Sequence, residues 1–149
     1  MHYKKIIFII IFLLSLNKPS IADNFVSIKS KANLRAGPGK HYPINWTLNL
    51  QNMPVKMLEK GSVYSKVELY DGTIGWVWNA TISEKKSIIV LKDSYIFDRN
   101  KNNIAFVKKN VLLEKVKCNE LVFNEKSCKI KIKNFKGYIS EKNIWGITK

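Results

Sequence analysis

The sequence predicts an all-β protein, and three observations carry that expectation. Ile44, Trp46, Leu48 and Leu50 alternate with Asn45, Thr47, Asn49 and Gln51, a clean period of two. Short apolar runs recur along the chain, each stopped by Gly, Pro, Asn, Asp or Ser. Residues 25–82 hold no helical period of useful length. Many short strands at regular spacing imply a sandwich or a barrel. The 149 residues make one ordinary domain or two very small ones. A unit of about 60 residues buries only ~60% of its unfolded surface, so two such units gain by packing together.

The first element is a targeting segment. His2, Lys4 and Lys5 precede an apolar run from Ile6 to Leu16, broken only by Ser15, and Lys18-Pro19-Ser20-Ile21-Ala22 follows. As a helix this run spans roughly 16 Å, about half a bilayer core. A positive start, a short apolar centre and small residues at Ser20 and Ala22 predict a cleaved signal peptide over residues 1–22. The mature chain is then expected to begin at Asp23, to be exported to the periplasm or cell envelope, and not to span a membrane. An uncleaved anchor is the alternative. No cysteine ends the run, so a lipoprotein anchor is not expected.

Residues 25–29 read as the first strand. In the next, Ala32 and Leu34 alternate with Asn33 and Arg35. Gly37-Pro38-Gly39 then turns the chain: Pro38 presets φ near −65°, and Gly39 is expected to take the positive φ of a type II turn. After residues 44–51, Asn52-Met53-Pro54 turns again, and Pro54 should start a strand rather than sit inside one. Residues 55–59 follow, ended by Lys60-Gly61-Ser62. Residues 66–70 run into Asp71-Gly72, a hairpin signal, and return as Ile74-Gly75-Trp76-Val77-Trp78. The segment closes near Ile82, with Leu34, Val67, Val77 and Ile82 expected in its core.

Two of these stretches carry a resemblance. Asn33-Leu34-Arg35-Ala36-Gly37-Pro38-Gly39 with Tyr42-Pro43, and Asp71-Gly72-Thr73-Ile74-Gly75-Trp76-Val77 about forty residues on, resemble the opening and closing motifs of the bacterial SH3-like domain. The resemblance implies a small, strongly bent antiparallel barrel over residues 23–82. Residues 83–87 read as a polar linker, after which the pattern restarts. Ile96 falls 62 residues after Leu34, Gly137-Tyr138-Ile139 falls 62 after Gly75-Trp76-Val77, and Ile144 falls 62 after Ile82. Equal offsets at both ends suggest a diverged tandem repeat. The second copy, residues 88–149, keeps strands at 88–91, 94–97, 104–108, 111–117, 129–133 and 135–139, but residues 98–103 replace the Gly-Pro-Gly turn. The expected architecture is two tandem SH3-like β-barrels.

Cys118 and Cys128 both fall in the second copy, one closing a strand and one opening the next. In an oxidising compartment they read as a disulfide across a hairpin-like connection. A redox or metal-binding pair is the alternative, but there is no C-x-x-C spacing and His41, the one histidine after residue 22, lies in the other copy. A nucleophile needs a base and a group that orients it, and zinc needs three or four ligands. His41 has neither companion. The chain is therefore expected to be no enzyme and to hold no metal or cofactor.

The net charge is +15, and residues 1–22 contribute Lys4, Lys5 and Lys18 with no acid, leaving +12. Such an excess suits a polyanionic neighbour. Only Arg35 and Arg99 among the 26 basic residues are Arg, however, and a composition this rich in Lys, Ile and Asn also follows from A/T-rich codons. Planar phosphate recognition favours Arg, so no specific nucleic acid is expected. In the strand at 74–78, Gly75 and Val77 share one face and Ile74, Trp76 and Trp78 the other. The resemblance puts Val77 in the core, which makes Trp76 and Trp78 an outward aromatic shelf. Tyr42, Trp46, Tyr64, Trp76 and Trp78 are the candidate ligand-binding residues. Bacterial SH3-like repeats often accompany wall hydrolases as targeting modules. The resemblance thus implies a non-catalytic envelope module recognising peptidoglycan peptide or a partner protein. Three alternatives remain: a structural subunit of an envelope complex, a shelf that packs the copies together, and a small wall-modifying enzyme.

Overall fold

The computed structural model describes residues 24–147. The signal-peptide expectation, with its cleavage point, falls outside the described residues. Within them the chain is antiparallel strand and turn, with two helical turns of three residues each, Asn79–Thr81 and Glu141–Asn143. Among the described residues, no helix is long and apolar enough to cross a membrane.

The first seven strands are β1 (Asn24–Ile28), β2 (Ala32–Arg35), β3 (Ile44–Leu48), β4 (Met53–Glu59), β5 (Tyr64–Glu68), β6 (Ile74–Trp78) and β7 (Ile82–Ser83). They form one sheet in the order β3-β2-β6-β5-β4-β1-β7. The alternation read in the sequence sets its inside. Leu34, Val67 and Val77 are fully buried with Ile28 and Val55, and Ile82 packs half-buried against them. Each such side chain contributes roughly 1.5–3 kcal/mol by leaving water. β3 behaves differently. Its period-two pattern makes a strand, but Ile44 and Trp46 are exposed and only Leu48 is buried, because β3 lies at the sheet edge.

Two local expectations are corrected. Gly39 does not take positive φ; among the glycines only Gly72 and Gly146 do. Space requires glycine at Gly37, where a Cβ would strike the Tyr42 ring; a Cβ on Gly39 would meet only the exposed His41 ring, which can turn aside. Pro54 sits second in β4 rather than first, opposite Ser27 of β1. Beside it β5 pairs only with Lys56–Glu59, so the missing N–H falls where β4 has a partner on one side alone.

β8 (Ser87–Val90), β9 (Ser94–Phe97), β10 (Asn103–Val107), β11 (Leu112–Val122), β12 (Glu125–Ile132), β13 (Phe135–Ser140) and β14 (Ile144–Trp145) make a second sheet in the order β10-β9-β13-β12-β11-β8-β14. Each strand takes the place of the one seven earlier. Gly75 lets Leu34 and the Arg35 carbonyl approach where a Cβ would collide, and Gly137 does the same for Ile96. The second barrel has its own core, including Ile88, Val90, Ile96, Ile130 and Ile139. Residues 98–102 are tied instead by Asp98, whose Oδ1 accepts the N–H of Asn100 (2.8 Å) and of Asn102 (2.9 Å).

Cys118 and Cys128 are bonded to each other. They do not mark strand ends. β11 and β12 run on past them to a tight turn in which Phe123 and Asn124 both have positive φ, 55° and 62°, the geometry of a two-residue hairpin. The bond lies where the register shifts between Lys117↔Lys129 and Glu120↔Ser127.

The connection between the sheets is shorter than the sequence implied. Ser83 ends β7 and Ser87 begins β8, leaving residues 84–86 between them. The joint is built on β1, β4, β8 and β14. Ser27 and Ser87, both buried, have hydroxyls 2.7 Å apart. Ser87 donates to the Asn52 carbonyl (2.6 Å), and Ser27 lies 2.6 Å from the Lys85 carbonyl. Phe25 meets Trp145 edge-on at 4.8 Å between ring centroids.

Candidate functional site

β6 carries the site because its pleat turns Gly75 and Val77 inward and leaves Trp78 at the surface, 52% exposed. The end of the strand is clamped. The Asn79 N–H donates to the Val63 carbonyl (2.9 Å), its Nδ2 to the Gly61 carbonyl (2.9 Å), and Ser65 Oγ to its Oδ1 (2.7 Å). Thr81 Oγ1 donates back to the Trp78 carbonyl at 2.7 Å. The indole therefore stands on a fixed backbone.

Tyr64 pairs with Trp78 across the β5–β6 ladder, and the two rings line a groove of about 400 Å³. Asn33, Thr81, Lys31, Arg35 and Lys40 line it too, and no acidic residue does. Arg35 stands opposite Trp76. Its Nη1 donates to the carbonyls of Lys40 (3.1 Å) and Tyr42 (2.8 Å), so the guanidinium holds the Gly-Pro-Gly loop and is itself held. Asn33 is oriented by Thr47, whose hydroxyl donates to Oδ1 at 3.2 Å. A groove with one nearly buried ring, one open ring, amide and hydroxyl groups and three cations suits a polar ligand with a flat or apolar segment and a negative group.

The five sequence-chosen residues are not one cluster. Tyr64 and Trp78 meet in the groove. Trp76, half-buried, stands next to Trp78 on the same strand face. Tyr42 packs on Gly37 and touches the groove only through its carbonyl's bond to Arg35. Trp46, 62% exposed, lies opposite Leu34 on the edge strand, so it shares Leu34's face and not that of Trp76. Sequence reasoning did not assign Arg35, Lys40 or Asn79. The Asn-x-Arg of the motif was a signal for Arg35; Asn79, alone after the strand, had none.

Elsewhere, Cys118, Cys128 and Glu141 bring ligand-type atoms within 4.8 Å of one another. The two sulfurs are joined and Glu141 Oε1 accepts the Asn119 N–H at 2.6 Å, so this cluster is structural. A wider cleft of about 570 Å³ beside the joint, lined by Phe25, Met57, Asn79, Glu84 and Lys86 among others, contains no Trp or Tyr.

Residues 30–83, a little over a third of the chain, match the family model described as Bacterial SH3 domain. Over this segment the chain is similar to a bacterial SH3 domain. The segment's boundaries take in the whole groove, from Ser30 to Thr81. No curated protein matches the chain. Two solved structures are distantly similar to this chain. NlpC1 from Trichomonas vaginalis is 12% identical with a TM-score of 0.36, the match covering 86% of this chain and 47% of that one. NlpC2 from the same organism is 13% identical with a TM-score of 0.35, covering 83% and 48%. The chain thus spans about half the length of either protein, and similarity this low carries no functional argument.

Proposed function

We propose that the protein is a non-catalytic binding module of the bacterial cell envelope. Its SH3-like domain takes peptidoglycan peptide in the groove between β2, β5 and β6. The observation that carries this reading is the half-exposed Trp78, held by Asn79 and Thr81 above Tyr64, with Arg35 and Lys40 at the groove wall. Burying an aromatic ring contributes area, and the cations and amide read the polar groups of a peptide carrying carboxylates. Its place is outside the cytoplasm, where the Cys118–Cys128 bond is stable.

The test is a pull-down of the purified protein on isolated cell walls, followed by assay of the supernatant for released wall fragments. Retention without release is expected. Protein that stays in the supernatant argues for the assembly role instead, and release of fragments argues for an enzyme.

A further inference from the structure

The outer face of the second barrel sets lysines against one another. In β12 the pleat turns Cys128 and Ile130 to the core, so Lys129 and Lys131 point outward. Lys129 stands opposite Lys117 of β11 and Tyr138 of β13, and Lys131 opposite Glu114 and Lys136. Directly paired side chains lie on one face within roughly 5 Å at Cβ, and like charges there are destabilising. The first barrel offers a control at the same register. Where the second barrel sets Lys117 against Lys129, the first sets Glu59 against Lys66; the next row is of opposite charge in both, Lys56 with Glu68 and Glu114 with Lys131. On the other side of Lys131 stands Lys136, where the first barrel has Ile74 opposite Glu68. The first barrel balances this face with its own residues and the second leaves it with an excess of positive charge.

Among the described residues, Lys129, Lys131 and Lys136 have no ion pair, and Lys117, 71% exposed, bonds only Glu120 on its own strand at 3.4 Å. Arg99 borders the patch, its Nε donating to the Tyr138 hydroxyl at 3.0 Å. We propose that this face of β11, β12 and β13 is a binding site for a linear phosphate polymer. Ammonium groups act as point charges toward phosphate oxygens and need no fork geometry. A bound polyanion also relieves the repulsion built into the rows. The ring inside the patch, Tyr138, is only 4% exposed, and the exposed Phe123 lies beyond Phe97 at its margin, so the lysine rows themselves carry no ring on which bases stack, which favours a polymer without them. The site lies on the other barrel from the groove and is independent of its ligand.

The test titrates labelled inorganic polyphosphate with the purified protein at about 50 and 200 mM salt. Three phosphate contacts imply a loss of affinity of roughly tenfold or more between these conditions. The variant Lys129→Gln/Lys131→Gln/Lys136→Gln should bind about tenfold more weakly, with a flatter salt dependence, and should melt no lower than the parent. Lys29→Gln/Lys85→Gln/Lys108→Gln, three exposed lysines scattered elsewhere, removes the same charge and should bind within about twofold of the parent. Equal losses in the two variants would show attraction to net charge alone and overturn the site. Absence of binding at the lower salt overturns it too. Tighter binding of single-stranded DNA of matching charge would overturn it in favour of a nucleic-acid partner.

Discussion

At Trp78 an exposed ring and a rigid backbone meet, and the two can be separated by mutation. Trp78→Ala removes a side chain that is half in water, so the core loses little. It should weaken ligand binding by more than about 1 kcal/mol, in the range of interface hot spots, while the melting midpoint moves hardly at all. Binding isotherms and melting curves of the two proteins check this. Asp98 makes a second residue-scale prediction. The Asn102 side chain and backbone, with the Asn100 N–H, hold its carboxyl below the usual range, and Ser140 and Lys142 do the same for Glu125. A lowered folded value means the stabilisation is fully present above the ordinary carboxylate range and is lost as pH falls through the lowered value. The second barrel should therefore loosen in acid, and carboxyl chemical shifts followed against pH should show Asp98 and Glu125 titrating below free Asp and Glu. Titration at or above free values contradicts it. The faces of Trp76 and Trp78 were legible because strand period is two. The reason for Gly37 was not, since its constraint is the Tyr42 ring rather than a dihedral.

Strands were easier to read than their burial. β3 has a flawless alternation, yet only Leu48 of it is buried, because an edge strand has core on one side for only part of its length; nothing in a single strand's pattern says that it lies at the edge. The Cys118–Cys128 pair was legible as a bond but not as a staple within a long hairpin, since Phe123 in the turn takes a positive φ that its residue type does not announce. The bond pins the irregular stretch of β11 to β12. Removing it as Cys118→Ala/Cys128→Ala should cost about 2–3 kcal/mol on the chain-entropy account, and exchange of backbone amides should rise in β11 and β12 before it rises in β5 and β6. Uniform change across both barrels would contradict that. The close approaches at Gly75 and Gly137 make a matched pair of tests. Ala at either position forces Leu34 or Ile96 aside at a cost of about 1–3 kcal/mol, measured by urea denaturation.

The offset of 62 residues foretold two barrels of one topology, because Leu34 and Ile96, and Gly75 and Gly137, do the same packing job in each. How the barrels join was hidden. Ser27 and Ser87 are small polar residues of the kind found on any surface, and only the fold reveals them buried against each other. Ser87→Ala strips the Asn52 carbonyl of its buried donor at about 1–3 kcal/mol, and should lower the midpoint by several degrees while leaving the groove's ligand affinity unchanged. The central claim is that the groove beside Trp78 receives the ligand. The four tryptophans report on it together: Trp78 in the groove, Trp76 beside it, Trp46 on the edge strand and Trp145 at the joint. Their indole N–H resonances, followed while soluble wall peptide is added, test it most directly. Trp78 should shift furthest, Trp76 less, and Trp46 and Trp145 should stay in place. Movement of Trp46 or Trp145 with Trp78 unmoved would contradict the account.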